Sequence, residues 1–362
     1  MIINNLQLSF ASLAASKRKV NTRFFDQINL LIDWDVIDKE IKKHYQKGKS
    51  ADGRPSYSGL VLFKMCLLQT WYGLSDYALE ERVNDSISFG HFVGLTLDDN
   101  VPDHSIISKF RTALTKCNAF EKLMLLINEQ LEAKQIILTK GAIIDASVIE
   151  SPRKPRGKKE YEIVEDRAEE EDKAATSTAV EVPSQKPALQ VKIASNVDTD
   201  AAWLIKAGRL RYGYKKHVLT DEEGMIRAVV TTAANESDTK HLKTAIEKTK
   251  LDKGSKILAD KGYCSQGNST YLKENNFEDG IMQKATKSKV LTEAQQQANK
   301  VISQTRYKVE RTFGSVIRWF KTGTARYVGL QKMHTQNIME AIAHNLKRSP
   351  GIVMSNALKV TN

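Results

Sequence analysis

Three acidic residues stand where a carboxylate is costly to place. Asp145 follows the apolar run Ala142-Ile143-Ile144, and Asp260 ends Ile257-Leu258-Ala259 just before Lys261-Gly262-Tyr263. Glu310 lies among Arg306, Lys308 and Arg311. A charge beside a core strand needs a partner, because burying it alone is expensive. A bound divalent cation supplies one and lets several ionised carboxylates approach each other. Hard oxygen donors select Mg²⁺, with Mn²⁺ as a substitute. Two such ions flanking a phosphodiester activate the attacking oxygen and stabilise the leaving one. Each acid also has a structural reading. Asp145 is then a strand-end cap, Asp260 the start of the turn at Gly262, and Glu310 an i,i+4 partner of Arg306.

The elements that must position these acids are legible from residue 141 onward. "GAIIDASVIE" reads as a buried strand carrying Asp145. "YGYKKHVLTD" and "MIRAVVTTA" read as two strands joined by a tight turn at Glu223-Gly224. A helix over 238–250, capped by Ser237 or Asp238, precedes the short strand that ends at Asp260. A short helix, "GNSTYLKENN", and a fifth strand, "DGIMQKA", follow. One long helix or two abutting ones over 291–321 then carry Glu310. This order predicts a mixed five-stranded sheet with flanking helices on both faces.

Upstream, the periodicity is helical throughout: 21–47, 57–72, 76–84 with Ser75 as N-cap, a helix from Ser86, one opened by Asp103, and 118–133. Residues 1–140 are thus expected to form an all-α domain of the kind in which helix-turn-helix units occur. It either binds DNA, with Arg82, Lys109 and Arg111 facing the duplex, or serves packing and dimerisation. Residues 151–190 run from a basic stretch (Arg153, Lys154, Arg156, Lys158, Lys159) into acids and then Pro/Ser/Thr/Ala. They read as an exposed, disordered insertion.

The chain has 362 residues, a net charge of +12 and 41% hydrophobic content, which excludes wholesale disorder and favours a polyanionic partner. Residues 300–362 hold 11 Lys and Arg against 2 acids, so the positive field concentrates there. Apolar residues at Val309, Phe313, Val316 and Phe320 make this segment a packed helix. Arg306, Lys308, Arg311, Arg318 and Lys321 are its candidates for phosphate contact. Three widely spaced cysteines exclude a disulfide framework and fit a reducing compartment. The longest apolar run, Leu60 to Leu68, is broken by Lys64, so no membrane span is expected, and the N-terminus lacks the basic start of a secretory signal.

With these motifs in place, the sequence resembles the DDE transposases of bacterial insertion sequences, in the group typified by insertion sequence five. The resemblance rests on "IIDASVIESP", "DTDAAWLIKAGRLRYGYKKH", "TTAANESD", "LADKGYCS" and "RYKVERTFGSVIRWF" followed by "ARYVGL". "LFKMCLLQTWYGLSDYALEERVNDSISFGHFVGL" and "VPDHSIISKFR" resemble the same group's N-terminal domain. It implies a ribonuclease-H-like core over 141–348, with a C-terminal tail over 349–362. The first acid then falls on the first strand (Asp145), the second on the fourth (Asp260) and the third on a late helix (Glu310). It implies a Mg²⁺-dependent enzyme, with two ions, that binds terminal inverted repeats in double-stranded DNA, frees a 3′-OH and joins it to target DNA. Synapsis implies a homodimer or larger assembly, without membrane, in the bacterial cytoplasm at the nucleoid.

The family's signature of Tyr, two residues, Arg, three residues, Glu, six residues, Lys keeps Arg306 and Glu310. Ser303 stands at its Tyr position and Ile317 at its Lys position, with Tyr307 and Arg318 nearby. Two rivals therefore stay open: a degenerate copy that binds DNA without cutting, and a hydrolytic nuclease of the same fold. Trp203 is either a stacking residue for an unpaired base or edge packing. Lys215 is either a phosphate ligand or a solvated lysine. His217 reads as a strand residue rather than a base, and His344 as helix packing.

Overall fold

The apolar stretch that reads as one helix over 21–47 folds as two. In the computed structural model, residues 20–45, 57–155, 160–164, 188–192, 196–285 and 290–360 are described. There α1 (Arg23–Leu31) ends at Ile32, and Asp33 starts α2 (Trp34–His44) by accepting a hydrogen bond from the Asp35 N–H. Residues 46 and 47 lie outside the described residues. Ser75 and Asp103 cap helices as predicted, and serines start two others. Ser58 opens α3 (Gly59–Tyr72), Ser75 opens α4 (Asp76–Asp85) and Ser86 opens α5 (Ile87–Val93). Asp103 accepts from the Ser105 and Ile106 N–H groups at the start of α6 (His104–Lys116), and α7 (Ala119–Ala133) follows. The helix α3 is apolar on nearly every side and is buried accordingly. Its Lys64 survives burial by donating to Asn29 Oδ1 at 3.2 Å and lying 4.4 Å from the Trp34 ring centre. Burial still pushes its ammonium down to about 8.

The sheet starts with β1 (Ala142–Glu150), which carries Asp145. After it, β2 (Glu160–Val164) and β3 (Ala188–Lys192) pair as a separate antiparallel ribbon inside the stretch expected to be disordered. The rest of that expectation, over 156–159 and 165–187, lies outside the described residues, and with it Arg156, Lys158 and Lys159. The main sheet continues with β4 (Ala202–Lys206), β5 (Arg209–Thr220), β6 (Ile226–Ala233), β7 (Lys256–Ala259) and β8 (Glu278–Ile281). Its order is β6-β5-β1-β7-β8, with β5 antiparallel to β6 and β1, and β7 parallel to β1 and β8. This is the expected ribonuclease-H-like arrangement of three meandering strands followed by two parallel ones. The sequence reading lacked β4, which pairs with the first half of β5 through a two-residue turn at Ala207 and Gly208, both at positive φ. Where β5 passes from β4 to β6, Gly213 is required, because a Cβ there would collide with the Ile149 carbonyl of β1.

Helices cover both faces. A short 3₁₀ turn (Asp238–His241), α8 (Leu242–Glu247) and α9 (Gln266–Glu274) pack on one, against Ile144, Leu219, Ile257 and Ala259. On the other lie α10 (Glu293–Phe320) and α11 (Leu330–Val360). Here the helical region and the sheet share one continuous core: Phe63, Phe110 and Leu123 belong to the same cluster as Val218, Val229, Ile342 and Leu346. Polar contacts seal the junction. The Trp71 indole donates to the Ala343 carbonyl at 2.9 Å, and Asn128 and Asn345 both donate to the Ile226 carbonyl. The expected boundary at 348 is not a break, since α11 runs through Pro350 to Val360.

Candidate active site

Strand register brings the two aspartates together. In β1 and β7, Ala142 pairs with Ile257, Ile143 with Leu258 and Ile144 with Ala259. The next position on each strand is Asp145 and Asp260, side by side at one end of two parallel strands roughly 4.8 Å apart. Alternation fixes their face. Ile143 and Leu258 pack against Val309 of α10, whereas Ile144 and Ala259 face α8 and α9. Asp145 and Asp260, two residues beyond Ile143 and Leu258, therefore point to the α10 side.

The helix α10 answers with a cation. Arg306 lies three residues before Val309, on the same buried face. Its Nη2 donates to Asp145 Oδ2 at 2.6 Å and its Nη1 stands 3.5 Å from Asp260 Oδ1. Backbone amides also engage the carboxylates: the Ala146 N–H donates to Asp145 Oδ1 and the Lys261 N–H to Asp260 Oδ1. Asp145 is 17% exposed and Asp260 38%, against 8% for Arg306. Burial raises the Asp145 carboxyl above its ordinary range, and Arg306 and the Ala146 amide oppose that rise. Arg306 is thus not an i,i+4 partner of Glu310; its ion partners come from the sheet.

Glu310 is exposed, one residue past Val309. At 100° per residue it lies about 40° around the helix from Arg306, on the same flank. It does not join the two aspartates: among the described residues no three His, Cys, Asp or Glu side chains gather as a metal cluster. Asp145 and Asp260 thus meet on Arg306, while Glu310 stays exposed on α10. The reason is local: Arg306 already sits between the aspartates, and a third carboxylate without a cation of its own gains more from water. The donor chemistry still fits a hard divalent ion. Asp145 and Asp260 present oxygens to one positive charge, and Glu310 is the nearest acid on α10 that could complete the set.

The reverse face braces this end of the sheet. Asp260 caps the 3₁₀ turn Lys261–Tyr263, and the fully buried Tyr263 hydroxyl meets His217 Nδ1 at 2.9 Å. Burial, aided by His241 and Lys215, lowers His217 to about 3, so it is a neutral strut. His217 is not placed to act as a base, in line with the sequence reading. Lys215 is not a free phosphate ligand: it is buried and donates to Asp238 Oδ1 and the Glu236 carbonyl. Arg111 is also committed elsewhere. It forks onto Asp76, reaches Gln69 and stacks 4.8 Å from the Tyr327 ring centre. A duplex cannot reach it, because Asp76 from α4 and Tyr327 enclose it.

The other basic candidates remain available. Lys109 is exposed on α6. Arg311 and Arg318 are exposed and Lys308 half-buried on α10, and Lys321 is exposed just past its end. Trp203 sits on the edge strand, 41% exposed, with its ring 4.9 Å from Tyr212. Ser303 and Ile317, the two departures from the signature, are exposed as well.

Comparison with known proteins gives the family. Residues 138–346 match the family model described as a transposase DDE domain, and residues 14–113 match a second one, transposase domain DUF772. The chain is 35% identical over 243 residues to the transposase for insertion sequence element IS1106 of Neisseria meningitidis serogroup B, covering 67% of this chain and 76% of that protein. Among solved structures it is similar to a piggyBac transposase synaptic complex with hairpin DNA, at TM-score 0.44 and 11% identity over 92% of this chain and 76% of that one. It also matches the Mos1 strand transfer complex, at TM-score 0.20 and 13% identity over 85% and 81% of the two chains. The family match spans the strands and the helix that carry Asp145, Asp260 and Glu310, and on it the chain belongs to the DDE transposases of bacterial insertion sequences.

Proposed function

We propose that this transposase binds the terminal inverted repeats of its element, hydrolyses a phosphodiester at each end, and transfers the freed 3′-OH to target DNA. The observation that supports this most is the pairing of Asp145 and Asp260 on one cation at adjacent strand ends. Asp145, Asp260 and Glu310 would hold Mg²⁺ or Mn²⁺, most simply as two ions. Bound there, divalent ions supply Lewis acidity at a scissile phosphate. The chain's own part is positioning. The Ala146 and Lys261 amides fix the carboxylates, and Tyr263 and His217 brace the turn after β7. Lys308, Arg311, Arg318 and Lys321 offer a basic surface to the DNA backbone, with Lys109 on the helical region. Trp203, 41% exposed on the edge strand, is the candidate to stack on an unpaired base. Joining two ends requires a homodimer or larger assembly, and the substrate places the protein at the nucleoid. No described helix is long and apolar enough to cross a membrane.

A second reading, a copy that occupies DNA without cutting it, is favoured by Ser303 and Ile317 at the signature positions. A gel shift beside a nicking assay on labelled end DNA separates the two. Glu310→Gln should bind as the unmodified protein does while nicking in Mg²⁺ falls by several orders of magnitude. Equal nicking by Glu310→Gln would remove that residue from the catalytic set, and no nicking by the unmodified protein would leave the binding reading.

A further inference from the structure

We propose that Arg306 is a built-in counter-cation that competes with the divalent ion for Asp145 and Asp260, so that metal loading requires the guanidinium to leave. The proposal rests on the acidic-site reading above. Arg306 holds both carboxylates at once, 2.6 Å from Asp145 Oδ2 and 3.5 Å from Asp260 Oδ1. The second oxygen of Asp145 is engaged by the Ala146 N–H, so the oxygen facing α10 is the one Arg306 uses. A divalent ion ligating that oxygen would share it with the guanidinium, and two cations on one carboxylate oxygen repel in a half-buried site. The two occupants therefore exclude each other.

The seat of Arg306 is also incomplete. Its Nε is buried with no hydrogen-bond partner among the described residues, and Nη1 otherwise meets only Met282 Sδ at 3.6 Å. A guanidinium with an unpaired buried N–H is held less firmly than one whose donors are all used. Arg306 thus does two things. It lets two carboxylates sit side by side while ionised, and it yields to a stronger cation. Metal-free protein is kept folded around the site, and metal affinity is lowered by the free energy needed to displace the arginine.

The test is a Mn²⁺ titration of the full chain without DNA, by calorimetry or by the spin-resonance signal of free Mn²⁺. Arg306→Gln removes the competitor and keeps an uncharged polar side chain. It should bind Mn²⁺ about tenfold more tightly than the unmodified protein, inside the usual range of site-to-site coupling. Its metal-free thermal midpoint should fall and its Mn²⁺-induced rise should grow. If Arg306→Gln fails to fold, Arg306→Met takes its place: it keeps an unbranched side chain and removes the charge, so this variant should also bind Mn²⁺ more tightly. Affinity equal to or weaker than the unmodified protein's in the folded variant overturns the proposal. Asp145→Asn separates the two layers. If it binds Mn²⁺ as well as the unmodified protein, the acidic-site reading itself fails. If it loses Mn²⁺ while the Arg306 variant gains nothing, only the counter-cation proposal fails.

Discussion

Two largely enclosed arginines face aspartate in this protein, and they are built differently. Arg111, in the helical region, forks both terminal nitrogens onto one carboxylate, Asp76, and fills its remaining surroundings with Gln69 and the Tyr327 ring. Arg306, at the sheet, spreads one guanidinium over two carboxylates and leaves its Nε unpaired. The first pair is closed: one positive charge, one negative, and planar bidentate geometry. The second retains an excess of negative charge at the end of two parallel strands. The same two residue types thus make a balanced ion pair in one place and an acidic pair with charge to spare in the other, and the number of carboxylates per arginine decides which.

The comparison can be broken most severely through catalysis. Asp260→Asn should lower nicking in Mg²⁺ by several orders of magnitude, whereas Asp76→Asn should leave the rate per folded molecule within about threefold. A comparable loss in both would mean that the helical pair belongs to the chemistry. Stability should show the opposite ranking. Arg111→Met strands a half-buried carboxylate and should cost about 1–3 kcal/mol in urea unfolding, the range for a charged group left without its partner. A loss below about 1 kcal/mol would show that the pair is dispensable.

Acid should act on both regions together. Burial lowers His217, behind the acidic pair, and His344, in the shared core, to about 3. Unfolded histidines titrate near 6.5, so between pH 7 and 5 the unfolded chain gains protons that the folded one refuses, and stability falls. Asp221 opposes this. Burial raises it to about 6, so its folded form takes up a proton over the same interval and stability rises. Two histidines against one aspartate leave a net loss of about 2–3 kcal/mol, an order-of-magnitude sum. Urea midpoints measured across that interval check it, and a midpoint that rises on acidification would contradict the burial of these rings. The smallest effect concerns DNA. Arg311→Ala should reduce the salt slope of binding by about one, while Arg111→Met should leave the slope unchanged.

The acidic pair was legible because each aspartate directly follows three apolar residues that only a core strand would use. The chain succession of β1, β5, β6, β7 and β8 followed from the same apolar runs. The partners of the cations were not legible. Arg111 and Lys215 read as free because Asp76 and Asp238 come from other elements, and single-helix or single-strand periodicity carries no record of what packs across. The shared core was hinted at by the width of the apolar face of α3, which is too broad for a helix that packs on one side only. The break at Asp33 was missed because the apolar spacing runs through it, although an Asp before Trp34 is a good cap. Glu310 was identified by its signature spacing to Arg306, a pattern that fixes its place on the helix but not how far its carboxylate reaches toward the sheet.

The central claim is that Asp145 and Asp260 form a divalent-cation site that Arg306 occupies in competition. Crystals of the full chain soaked in Mn²⁺ and measured at the manganese absorption edge test it directly. The account predicts an anomalous peak about 2.0–2.6 Å from oxygens of both aspartates, the range for hard cations on oxygen, with the Arg306 guanidinium moved off Asp145. A Mn²⁺ peak at any other place, with Arg306 still bridging the two carboxylates, would contradict it.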